Sequence, residues 1–452
     1  MYSIYIFRRD LRLEDNLGFY YAIQNCKPVI PIFIFTPEQV VKNEFKSENA
    51  IQFMIESLKE LDTKLQKHNS KLYVFQGDNI KVLNKIAKNL AISEIIFNQD
   101  YTPYARKRDG KIAKFCDKKK IQCHMIHDYL LAEIGSFLKK DGNPYTVFTP
   151  FKNNALKVDI DKPKKIKIKN LANLENLNLK DDGYIKYSVN PDILLKGGRK
   201  YGKKQLSLLK NQQKYNDNRN DMSITTTLLS AYIKFGNISI REVYWLMRET
   251  LGINTDLIGQ IFWREFYYYI AYYFPQVLKG SNFNPKYDKI KWTNNMSHFK
   301  AWCNGETGVP VVDAGMRELN KTGYMHNRAR LITSNYLNRI LGCDWRLGEK
   351  YYASKLTDYD PSVNNGNWQW IASTGTDPKP YFQRLFNPWL QSKKSDKDCK
   401  YIKKWIPELE EVPSKEIHEW DKHCHKYDIY LEPIKDYKEG REASVKMYKA
   451  VL

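Results

Sequence analysis

The chain has 452 residues, 42% of them apolar and 27% charged, and a formal net charge of +22. That length and apolar share fit two or three folded domains and exclude a disordered chain; no apolar run reaches the roughly 20 residues that cross a bilayer. The basic excess suits a polyanionic partner, nucleic acid before membrane, although Lys and Asn are abundant throughout and compositional drift gives the same balance.

The first part of the chain alternates two kinds of segment. Short β-rich runs stand at Ser3–Phe7, Pro28–Phe35, Lys71–Gln76 and Ile92–Asn98, and helical periodicity at Asn49–His68 and Ile80–Leu90. Such alternation predicts a parallel, doubly wound α/β sheet. No G-x-G-x-x-G follows the first strand, so the dinucleotide fingerprint is missing. A Lys- and Asn-rich stretch from Asp159 to about Asp182 reads as a linker, and from about Lys200 the pattern turns helical and aromatic-rich. The expected layout is an α/β domain over 1–130, a connection over 131–199 and an all-α domain over 200–452. Because Met1–Phe7 leads straight into a strand, no secretory start is expected. Seven cysteines without a C-x-x-C pair point to a reducing, intracellular compartment. His423-Cys424-His425 lacks a second ligand pair nearby, and no metal site is expected.

In the helical part, Thr225-Thr226-Thr227-Leu228-Leu229-Ser230 follows Tyr215. A hydroxyl-rich turn of this kind serves an ordinary N-cap or a bound pyrophosphate, and the residues alone leave both open. Gln260, Trp263 and Tyr267 fall at i, i+3 and i+7, one stripe of a helix. The stripe is either core or a surface that stacks on a base and hydrogen-bonds it. The segment from Tyr324 to Trp370 is the most informative. It reads Y-M-H-N-R-A-R, then D-Y-D at 358–360, then N-N-G-N-W-Q-W. Asn327, Arg330 and Leu331 share a helical face, as do Asn364 and Trp368. Asp358 and Asp360 are two apart, so a turn is needed to aim both at one ring. No Cys, Ser or His is placed there as a nucleophile. Arginines, carboxylates, amides and indoles suit holding a large planar cofactor.

These motifs carry a resemblance. F-R-R-D-L-R-L-E-D-N at Phe7–Asn16, W-R-E-F at Trp263–Phe266, and M-H-N-R followed by N-N-G-x-W-Q-W-x-A-S-T-G-T-D make the chain similar to the DNA photolyase and cryptochrome family over nearly its whole length. The detailed form most resembles photolyases that repair cyclobutane pyrimidine dimers. The resemblance implies an antenna-type α/β domain, a long connection and a helical domain that binds FAD and UV-damaged DNA. Tyr215, Thr226, Thr227, Leu228, Leu229 and Ser230 then match the phosphate-binding pattern. Arg264, Asn327, Arg330, Asp358, Tyr359, Asp360 and Asn364 would surround the flavin, with Asn364 facing N5. Trp292, Trp345 and Trp368 match the electron-transfer triad. Gln260, Trp263, Arg264, Tyr267, Asn327, Arg328, Leu331 and Trp370 match the lesion-binding set.

Two features bear on the substrate and one on a second chromophore. Gln260 stands where cyclobutane enzymes usually carry Glu and is typical of (6-4) photolyases and animal cryptochromes. Against that, Asn327 and Leu331 stand where (6-4) enzymes place His. Tyr104-Ala105 replaces the Asn-Glu of folate-binding relatives, so a second antenna chromophore is left without an identity. The expectation is light-driven splitting of cyclobutane dimers by a monomeric protein acting where DNA is, the nucleus in a eukaryote. A (6-4) photolyase or a blue-light receptor without repair are the alternatives.

Overall fold

Residues 1–174, 177–376 and 384–452 are described by a computed structural model of the chain. Asp377, the last residue of the quoted motif, and residues 175–176 of the Lys- and Asn-rich stretch lie outside them. Five strands, β1 (Tyr2–Phe7), β2 (Val29–Phe35), β3 (Tyr73–Gln76), β4 (Ile92–Asn98) and β5 (Gln122–Ile126), pair in parallel in the order β3-β2-β1-β4-β5. β1 registers on both neighbours, Ile4 opposite Ile30 and Ile95. Helices α1 (Leu17–Asn25), α2 (Glu48–Gln66), α3 (Asn79–Asn89) and α4 (Pro103–Lys119) make the crossovers. β2 is buried along its whole length, as a parallel strand covered on both faces must be. The first four strands and two of the helices fall where the sequence puts them. The added strand, β5, is a short, half-exposed edge strand, and its weak apolar pattern hid it.

The connection contains α5 (Phe148–Ala155) and otherwise little regular structure. Its later part lies along the first domain, whereas α5 packs on the helical half. The Ala172 amide donates to the Val29 carbonyl at 2.9 Å, the Asp182 amide to the Val74 carbonyl at 2.9 Å, and the Lys164 amide to the Asp15 carboxylate at 2.8 Å. The helical half then supplies α6 (Ser230–Lys234), α7 (Ile240–Leu251), α8 (Asp256–Tyr273), α9 (Pro310–Thr322), α10 (Asn327–Asn335), α11 (Trp345–Lys355), α12 (Pro361–Ile371) and α13 (Tyr437–Lys449), among other helices and turns. No helix of the described residues is long and apolar enough to cross a membrane.

One apolar core runs through both halves, joining Phe7 and Leu11 to Tyr232, Phe235 and Phe262. Across the same seam lies a buried ionic cluster. Arg241 of α7 reaches Asp15 at 3.1 Å and Asp128 at 2.6 Å, and Arg12 also meets Asp128, at 2.5 Å; all four side chains are at most 2% exposed. Gly236 closes the seam. Its φ is +66°, and a Cβ there would lie 2.2 Å from the Arg9 carbonyl, so only glycine lets the halves meet. Removing a partner from a buried ion cluster costs about 3–5 kcal/mol, because a charge is left uncompensated. Arg241→Met is therefore expected to lower stability by about that amount in denaturant unfolding. A loss under about 1 kcal/mol contradicts the role given to this cluster.

Candidate functional site

A cavity of about 280 Å³ opens beside the hydroxyl-rich turn, lined among others by Lys214, Tyr215, Arg219, Thr225, Thr226 and Thr227. Leu228 adopts a φ of +52°, Leu229 occupies the N-cap position of α6, and no side chain caps that helix. The N-cap reading of the hydroxyls is thereby overturned. Ser230 instead donates to the Asp358 carboxylate at 2.6 Å, and the threonines are left to line a cavity with two cations at its rim. That donor set suits a phosphate group.

Asp358 is the joint between three segments. Its Oδ2 accepts from Ser230 and from Arg330 Nη2 at 3.0 Å, while Arg330 Nε donates to the Met325 carbonyl. Its Oδ1 is buried with no protein partner, and so is Asn364 Nδ2, one turn into α12. Buried polar atoms without partners are costly unless something else satisfies them. Two such atoms, one acceptor and one donor, match the hydrogen-bonding edge of a flavin, and with the hydroxyl-lined cavity they fit FAD. These residues would hold it.

Asp360 departs from expectation. It caps α12, its Oδ1 accepting from the Ser362 and Val363 amides at 3.1 and 3.3 Å. Its Oδ2 takes Tyr268 at 2.5 Å, Tyr129 at 3.0 Å and the Arg9 guanidinium of the first domain. The two carboxylates therefore aim apart, because Asp360 serves the domain seam. Burial alone would raise its pKa, but Arg9, Arg264 and the Tyr268 hydroxyl hold it down at about 2. Arg264 also turns to the seam, donating to Glu265 at 2.8 Å and to the Tyr129 carbonyl at 3.0 Å. Glu265 is fully buried, and despite Arg264 burial lifts its carboxyl to about 7. Nearby, burial and then Arg9 push Lys234 down to about 7. Tyr359 stacks on Phe45 of the first domain, 6.0 Å between centroids.

Trp345 and Trp368 are buried and Trp292 half-buried, all around one core. The Trp368 ring lies on Gly348, one turn beyond Trp345, where a Cβ would come within 2.2 Å of it. Trp345 donates to Asn282 at 2.9 Å, and Trp292 meets Tyr448 edge-on at 6.2 Å. Two rings not singled out from the sequence also touch Trp368: Tyr352 at 4.9 Å and Trp302 at 6.3 Å. For Tyr352 the i, i+7 relation to Trp345 was the available signal; Trp302 lies on a separate helix, and spacing gave none.

The α8 stripe divides. Tyr267 is core, lying on Gly366 of α12 where a Cβ would approach to 2.1 Å, whereas Gln260 is exposed and Trp263 half-buried. The core reading thus holds for Tyr267, while Gln260 and Trp263 are left accessible at the other end. Trp370, at the end of α12, has the Arg384 guanidinium 3.9 Å from its ring centroid. On α10, Asn327 is exposed and Leu331 half-buried, and Arg328 donates to Asn220. His326 caps that helix, its Nδ1 accepting from the Arg328 amide at 3.1 Å; burial, aided by Arg330 and Arg328, pushes its pKa down to about 4. Away from these elements, Cys26, Glu94 and His124 bring their donor atoms within 4.8 Å of one another on the β4–β5 side of the sheet.

Comparison with known proteins agrees with this architecture. Residues 3–167 match the family model described as DNA photolyase, and residues 257–450 that described as the FAD binding domain of DNA photolyase. The deoxyribodipyrimidine photo-lyase of Buchnera aphidicola subsp. Acyrthosiphon pisum is 36% identical over 98% of this chain and 96% of its own length. The solved archaeal photolyase of Sulfolobus tokodaii, described with two FAD molecules and a novel light-harvesting cofactor, is 39% identical with a TM-score of 0.86, each chain covered in full. A Synechocystis cryptochrome is 25% identical with a TM-score of 0.88, 99% of each chain covered. The chain belongs to the DNA photolyase family.

The Asp360 carboxylate yields a pH prediction. Its folded-state pKa is depressed, so its contribution is present above the ordinary value of 3.8 and is lost as pH falls through about 2. That shift corresponds to about 2 kcal/mol. Asp360→Asn is expected to be less stable by about that amount at pH 7, with the difference from the parent shrinking between about pH 4 and 2. A difference independent of pH across that window contradicts the ion pairing.

Proposed function

We propose that this protein is a light-driven DNA lyase that splits cyclobutane pyrimidine dimers using reduced FAD. The observation that carries the reading is the pair of buried, unpartnered polar atoms on Asp358 and Asn364, in a chain of this family, with Asp358 joined through Ser230 to the turn whose threonines line a cavity. When bound, reduced FAD supplies the photoexcitable single electron; the protein supplies position and electrostatics. Arg330, fixed by Asp358 and the Met325 carbonyl, sets a cation beside the site, where it favours negative charge. Asn364 is neutral and offers no acidic proton, so that charge is not quenched by protonation. Trp292 is half-buried and Trp345 and Trp368 are buried around one core, which a path from surface to interior needs.

Gln260, Trp263, Asn327, Leu331 and Trp370 are the residues that would read the lesion. The excess of Lys and Arg, net +22, favours the phosphate backbone and makes binding salt-dependent. A dimer swung out of the stack is then held between indoles. Base flipping is a property of photolyases as a class, so this step follows from family membership. The protein acts as a monomer, and its first domain holds an antenna pigment; the Sulfolobus tokodaii relative with two FAD molecules makes a second flavin the leading candidate.

Gln260, exposed at this face, favours a (6-4) lesion as the second reading. The chemistry of α10 opposes it. A (6-4) repair needs a proton donor, and Asn327 and Leu331 are not acids. His326, the histidine next to them, uses Nδ1 as a helix cap and stays neutral with its pKa near 4.

Trp263→Ala is expected to weaken binding of a duplex carrying one cyclobutane dimer by about tenfold or more, the range of a lost base stack, and to leave undamaged duplex almost unaffected. Equal losses on both duplexes contradict the pocket. Trp368→Phe is expected to slow photoreduction of oxidised flavin while leaving repair intact once the flavin is chemically reduced beforehand. Repair abolished under that condition contradicts a purely reducing role for Trp368.

A further inference from the structure

The connecting segment places an aromatic ring directly on Trp263. Phe148, the first residue of α5, stacks on it with centroids 3.6 Å apart and planes 7° from parallel. The same indole meets Phe266 edge-on at 5.7 Å and Tyr267 obliquely at 5.5 Å, and it remains half-buried. From this geometry we infer that Phe148 is a positioning residue for lesion recognition: it backs one face of Trp263 and fixes the plane that the indole presents to a swung-out base. The inference rests on the lesion-stacking reading of Trp263.

Phe148 is itself anchored. Phe151, three residues on and so on the same face of α5, is fully buried against Phe266 at 5.4 Å and Tyr269 at 5.3 Å. Phe137 extends this packing, stacking on Tyr269 at 5.7 Å and meeting Phe151 edge-on at 5.8 Å. Pro150, in the first turn of α5, fixes its own φ and needs no amide partner there. The ring that backs Trp263 is therefore tied to the core through its own helix and does not swing as a gate. Trp370 is treated in a parallel way, with the Arg384 guanidinium over its ring.

An indole on a helix surface has several rotamers, and a base that stacks on it must freeze them. Backing the ring in advance removes that cost from binding. The benefit reaches only a ligand that touches the indole. An undamaged duplex, whose bases stay stacked, gains nothing. Phe148 therefore contributes to discrimination between damaged and undamaged DNA, and the connection between the domains becomes part of the substrate site.

The test measures dissociation constants, at one salt concentration, for a duplex with a single cyclobutane thymine dimer and for the identical undamaged duplex. Phe148→Leu keeps apolar bulk but removes the planar face; Phe148→Tyr keeps the plane. Phe148→Leu is expected to reduce the damaged-over-undamaged preference by about fivefold to tenfold, tenfold being about 1.4 kcal/mol, with flavin content and undamaged binding within about twofold of the parent. Phe148→Tyr is expected to restore the preference. A Leu variant with full preference, a Tyr variant as poor as Leu, or equal losses on both duplexes overturns the inference. Trp263→Ala, measured alongside, separates the two levels. If it too keeps full preference, the pocket itself is misassigned; if it loses preference while Phe148→Leu does not, only the backing role fails.

Discussion

The site depends on charge pairs buried at the seam between the two halves of the chain. Arg9, from the loop after the first strand, reaches Asp360, and Asp360 begins the helix that carries Asn364, Trp368 and Trp370. The first domain thus sets the N-terminus of the helix that carries the residues proposed for the cofactor, the electron path and the lesion pocket. Tyr129 and Tyr268 complete the cluster from either side of the seam. Charges held this deeply are rigid when fully paired and costly when broken, so the seam fixes one arrangement of the halves.

Two residues earlier in the chain, Asp358 does separate work. It joins the hydroxyl-rich turn through Ser230 to the arginine of α10 through Arg330, and keeps one oxygen for a ligand. Of two carboxylates two residues apart, one is spent on the fold and the other keeps an oxygen without a protein partner, open to the proposed cofactor. A flavin held by these residues would meet a fixed cation and a neutral amide, which suits a site that keeps negative charge on its cofactor.

Much of this was legible in the sequence because the signals were local. Continuous apolar runs such as V-I-P-I-F-I-F mark buried parallel strands, and the D-Y-D and N-N-G-N-W-Q-W segments place the amides and indoles of α12 in order. Other features were not local. β5 is a half-exposed edge, so its pattern is faint. The partner of Asp360 lies at the other end of the chain, and spacing cannot reveal that its carboxylate turns away from that of Asp358. Arg264 sits in a family motif, yet its guanidinium points to the fully buried Glu265 beside it. Phe148 belongs to a stretch that reads as connection; only the packing of Phe151 into the core shows that its ring is placed.

The most direct test of the account is blue-light irradiation of the purified, flavin-reduced protein with oligonucleotides bearing either one cyclobutane dimer or one (6-4) product, beside dark controls. The account predicts restored pyrimidines from the cyclobutane substrate alone, and only in the light. Restoration of the (6-4) substrate, or of neither by a protein that has taken up FAD, contradicts it.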